Sequence, residues 1–201
     1  MCYNFNTSLI AYIIGMMSAL FALYTKQFIL GMLILFYSQI QLSEAIIWRG
    51  IDTNNKSLNE LGTNMVKYLL ATHNIGISLG VLLEYKFNMI NLIPLIISIL
   101  FFISIGILYK SHKIDKYTYE DPETKRFKWT FPHKWYMYSF ILSVILLIIY
   151  IKPIQTKIFV LCIYGITLLW YMIFYPTVLG SLWCLSAAIL APLVVFNSIC
   201  F

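Results

Sequence analysis

The chain has 201 residues, 61% of them apolar and 11% charged, with a net charge of +6 and a mean hydropathy of +0.82. A water-soluble domain is nearer half apolar and a quarter charged, so the composition excludes one. The apolar stretches also leave no room for a separate ectodomain or nucleotide-binding module. The positive balance does not point to nucleic acid, because seven of the fourteen Lys and Arg fall between Lys110 and Lys134, as expected of a loop kept on the cytoplasmic side of a membrane.

About 20 apolar residues cross the hydrocarbon core as a helix, and backbone facing lipid must satisfy its own hydrogen bonds. The chain therefore reads as one all-α, polytopic membrane domain over residues 1–201, a bundle of seven transmembrane helices. The first, Thr7 to Tyr24, has no basic segment ahead of it and reads as a retained anchor. The second, Phe28 to Trp48, carries Tyr37, Gln41, Glu44 and Trp48 at steps of four, three and four, hence on one face, with Gln39 and Ser43 adjoining. Arg49 to Gly62, polar and rich in Asn, reads as a surface connection.

The third helix, Thr63 to Tyr85, repeats Asn64, Lys67, Ala71, Asn74 and Ser78 at helical spacing, with His73 beside that stripe. At 1.5 Å per residue, Glu44 and Lys67 each lie about 6 Å from the same membrane face, which predicts an ion pair. By the same arithmetic Gln41 and Gln39 come level with His73 and Asn74. Polar groups in a bilayer are costly and turn toward the bundle interior, so these six residues form a candidate ligand or ion pathway. The competing reading is interhelical glue worth about 1 kcal/mol per contact. Gly76 and Gly80 read as packing positions.

The fourth helix, Asn88 to Tyr109, leads into the basic loop 110–134. There Tyr117 and Tyr119 alternate on one side and Phe127, Trp129 and Phe131 on the other. Asp121-Pro122-Glu123-Thr124 between them suits a type I turn, so a short β-hairpin is expected. Lys125, Arg126, Lys128 and Trp129 would contact anionic headgroups. Three more helices follow, Trp135 to Ile151, Thr156 to Tyr175 and Thr177 to Asn197. Counting loop charges puts the amino terminus and loop 110–134 in the cytoplasm, with nine basic residues inside against four.

Cys2, Cys162, Cys184 and Cys200 form no CxxC and no spacing with His suited to a metal, so reduced thiols and neither metal nor cofactor are expected. HExxH, GxSxG and Walker sequences are absent, and the last helix holds no lysine for retinal.

Met1-Cys2 with Asn6-Thr7-Ser8, the run QLSEAIIW from Gln41 to Trp48, His73-Asn74, and GSLWC from Gly180 to Cys184 together resemble a group of seven-helix membrane proteins encoded by giant DNA viruses. The resemblance implies a viral or virus-derived protein in a host or virion membrane. It carries over no functional residue.

Three functions are compatible with these features. One is binding or passage of a small polar solute or ion along Glu44, Lys67, His73, Asn74, Gln41 and Gln39. Another is organisation of a membrane through the basic loop, with the lipid bilayer, and anionic lipids in particular, as partner. The last is an intramembrane enzyme with Glu44 as base and His73 as acid, which lacks an evident nucleophile, so a non-enzyme is favoured. Nucleic acid is not expected as a partner, and a homo-oligomer is compatible with the sequence.

Overall fold

The computed structural model describes residues 4–85, 87–111, 117–120, 127–128, 133–174, 191–196 and 199. Helix α1 runs Phe5–Tyr24, α2 Phe28–Asp52, α3 Lys56–Tyr85, α4 Met89–Ser111, α5 His133–Tyr150 and α6 Ile154–Phe174, with a further helical stretch at 191–196. Asn4 starts α1 by accepting a hydrogen bond from the Thr7 N–H at 2.9 Å, the usual work of an N-cap side chain. The buried face of α1 is small throughout, with Ser8, Ala11, Gly15, Ser18, Ala19 and Ala22, which lets its backbone approach α2.

The central pair is α2 and α3. Of their candidate membrane-spanning windows 67% and 61% are buried, against 33% for α1 and 17% for α4. The outward residues of α4, among them Ile93, Ile97, Leu100 and Ile107, are apolar and exposed, as a lipid-facing helix requires. Two glycines set the α2–α3 distance. A Cβ on Gly80 would stand 2.6 Å from Ile29 Cα, and one on Gly62 would stand 2.8 Å from the Ser43 carbonyl oxygen. Only a residue without a side chain fits at these crossings.

Close packing continues beyond Trp48, and this corrects the expected surface loop. Residues 49–62 are helical except for the turn at 53–55, where Asn54 takes a left-handed φ of 51°, a conformation Asn tolerates better than most residues. Asn55 caps α3 by accepting from the Leu58 N–H at 3.2 Å. The polar composition that suggested a loop reflects helices leaving the hydrocarbon. With 25 and 30 residues, α2 and α3 extend about 38 and 45 Å against a core of about 30 Å. The short turns after α1 and α3 lie at the opposite face, so the excess projects on the side of the basic loop.

The expected fold is corrected in two respects, while the all-α class fits. Among the described residues four helices are long and apolar enough to cross a membrane, α1 to α3 and Met89–Tyr109 of α4, in place of seven. The described apolar part of α5 is Tyr138–Tyr150, which covers about 20 Å. The expected seventh helix lies outside the described residues except at 191–196 and 199.

The aromatic β-hairpin is not formed as expected either. Among the described residues the pairing is β1 (Tyr119–Glu120) against β2 (Phe127–Lys128), two residues a side. The main chain one residue earlier, at Thr118, turns its hydrogen bonds to α3 instead. The turn residues 121–126, together with Trp129 and Phe131, lie outside the described residues.

Candidate functional site

Polar side chains gather at three depths along α3. The middle layer is the most densely bonded. Asn74, fully buried, donates from Nδ2 to Ser139 Oγ of α5 at 3.0 Å and accepts at Oδ1 from Ser143 Oγ. The Asn74 carbonyl accepts from Ser78 Oγ at 2.8 Å and from Ser98 Oγ of α4 at 3.2 Å, and the two serine hydroxyls are 2.9 Å apart. One asparagine therefore ties α3 to both α4 and α5. His73, 2% exposed, brings Nε2 to 3.4 Å from Ser139 Oγ, and its ring stacks on Tyr37 of α2 at 5.1 Å between centroids.

The layer nearer the basic loop contains Gln41 and Glu44, both fully buried in α2, and Lys67, 8% exposed, in α3. Lys67 Nζ lies 3.4 Å from Asn64 Oδ1. Gln39 departs from the expected ladder. It is directed at α1, with Nε2 3.2 Å from Met16 Sδ and 3.3 Å from the Leu35 carbonyl. Its place in the sequence, two residues from Gln41, put it on an adjoining face, and α1 occupies that face.

The third level is at the end of α3 away from the basic loop, around Glu84, a residue outside the expected pathway. Glu84 Oε2 accepts from the Ile29 N–H at 3.1 Å, so the end of α3 caps the start of α2, where the helix dipole favours a negative group. Tyr85 donates its hydroxyl to the Tyr150 carbonyl at 2.7 Å, and Lys152 Nζ stands 5.4 Å above the Tyr85 ring. A small cavity of about 70 Å³ between Glu84, Lys26 and Lys152 marks where three turns meet. The signal was present in the sequence as a lone acid at the end of an apolar helix.

At the end of the α2–α3 pair, Thr118 of the basic loop is held by Asn59 and Thr63 of α3. The Thr118 N–H donates to Asn59 Oδ1 at 2.9 Å, and Asn59 Nδ2 donates to the Thr118 carbonyl at 2.9 Å. The side-chain amide thus pairs with Thr118 as a neighbouring strand would. Thr63 Oγ1 adds contacts to the Thr118 hydroxyl at 2.9 Å and N–H at 3.1 Å. Beside this clasp is a recess of about 390 Å³ lined by Gly50, Ile51, Asn54, Asn55, Lys56, Asn59, Tyr117 and Thr118.

Of the expected headgroup contacts, Lys125, Arg126 and Trp129 lie outside the described residues, and Lys128 is placed by its backbone in β2. Among the described residues no three His, Cys, Asp or Glu converge as metal ligands. The chain matches no protein-family model, no curated protein and no solved structure.

Proposed function

We propose that this chain organises a viral or host membrane by engaging anionic lipid headgroups through its basic loop on the cytoplasmic face. The observation that carries this reading is the clasp at Thr118. It fixes the loop to the projecting end of the α2–α3 pair, and Lys128 stands opposite Tyr119, the next residue along. Arg126 and Trp129 lie within two residues of Lys128 in sequence. The hydrogen-bonded layer around Asn74 suits a rigid support for that surface. Replacing Lys125, Arg126 and Lys128 together by Gln is expected to weaken binding to phosphatidylserine vesicles about a hundredfold, at ~1 kcal/mol per basic residue. Vesicle clustering followed by light scattering should vanish with it, and clustering that persists would overturn the reading.

A second reading, passage of a small polar solute or ion, is favoured by one observation. Glu44 and Gln41 are wholly buried and His73 nearly so, inside helices that cross the bilayer, where ionisable groups are costly. It predicts proton or potassium flux in proteoliposomes that Glu44→Gln abolishes. Absence of flux through folded native protein removes this reading.

A further inference from the structure

We infer that the recess between the α2–α3 turn and the clasped loop is a binding site for the phosphate of a lipid headgroup. The inference rests on the membrane-organising reading and names its specific ligand site. Depth is the first argument. Counted along α2 from Phe28 and along α3 from Tyr85, Gly50 and Lys56 stand about 33 and 44 Å from the far turns. With a hydrocarbon core of about 30 Å and 40–45 Å including headgroups, the recess lies in the headgroup layer and just above it.

Size and chemistry agree with that placement. About 390 Å³ is within the range of small-molecule sites, roughly 300–1,000 Å³. The described lining includes Lys56, Asn54 and Tyr117, residues whose side chains can donate to phosphate oxygens, and among the described residues no acidic one lines the recess. Asn59 is occupied by Thr118 and serves as a wall. Ile51 and Gly50 offer apolar surface beside the polar groups, as a glycerol backbone would need. The loop is thus held by its clasp beside a recess on the scale of a headgroup.

The test uses the full chain in detergent, with dioctanoyl phosphatidylglycerol, dioctanoyl phosphatidylcholine and inorganic phosphate as probes, read by calorimetry. The informative variant is Lys56→Gln with Asn54→Gly. Glycine retains the left-handed backbone at 54, and Lys56 is exposed, so folding is expected to survive.

The native chain should bind phosphatidylglycerol about tenfold or more tightly than phosphatidylcholine, and the double variant should lose that preference. Equal affinity for the two lipids, or a preference unchanged in the variant, would overturn the site. Inorganic phosphate binding as tightly as phosphatidylglycerol would overturn the lipid assignment. Should the variant lose thermal stability, Lys56→Gln alone decides, by the same loss of preference.

Vesicle clustering by the native chain separates the lipid site from the organising role. Clustering with no lipid preference in the recess overturns the site and leaves the organising role standing. No clustering by the native chain overturns the role itself.

Discussion

Gly80→Ala is expected to destabilise the protein by about 3 kcal/mol, although alanine is the better helix former. The added methyl would meet Ile29 Cα at 2.6 Å and the Phe28 carbonyl oxygen at 2.7 Å. Both are backbone atoms, so relief requires α2 and α3 to separate. Separation at this point also strains the bond from the Ile29 N–H to Glu84, four residues further along α3. Gly106→Ala supplies the control. A Cβ there meets nothing within 4 Å, so only the helix preference remains, and stability should stay level or rise by about 0.5–1 kcal/mol. Thermal unfolding of both variants in one detergent decides the matter. Equal midpoints would mean that the two helices do not depend on this crossing.

Asn74→Ala should cost about 2 kcal/mol. Hydrogen bonds between membrane helices average below 1 kcal/mol each, but this side chain makes two, and its loss opens a void beside Ser139 and Ser143, whose hydroxyls keep their bonds to the Leu70 and Ser139 carbonyls. Ser104→Ala is the matched control, since Ser104 is on the outside of α4 and bonds only its own helix at Leu100. A stability loss confined to Asn74→Ala, with vesicle clustering intact at low temperature, identifies the middle layer as structural. Asn74→Ala that abolishes a measurable ion flux while leaving the unfolding midpoint unchanged would instead place Asn74 on a conduction path.

The difference between sequence and structure follows from what apolar periodicity can detect. It locates helices where lipid is the solvent, which is why Tyr24, Phe28 and Tyr85 fall at helix ends in both. It says nothing of helix that continues into water, so periodicity ends the second helix at Trp48 and starts the third at Thr63, where the structure has Asp52 and Lys56. Position along α2 and α3 was likewise enough to place Gln41, Glu44, Lys67, His73 and Asn74 in buried positions. The partners were another matter. Ser98 and Ser143 come from helices whose rotation no local pattern fixes, and Asn59 and Thr118 are 59 residues apart. Gln39 bonds toward α1, whose apolar sequence carries no sign of which face of α2 it covers.

The burial pattern also bears on how the chain enters a membrane. The helices that face lipid, α1 and α4, have mean hydropathies of 1.8 and 2.6, whereas the inner pair have only 1.4 and 1.3. Glu44 in α2 and Lys67 in α3 would each oppose transfer of a lone helix into the bilayer by about 2.5–3.5 kcal/mol at the centre and less near a face. Neither inner helix is therefore suited to leave the insertion machinery alone. The three-residue turn between them lets α2 and α3 partition as one hairpin with polar faces turned inward, so the two are expected to enter the bilayer together.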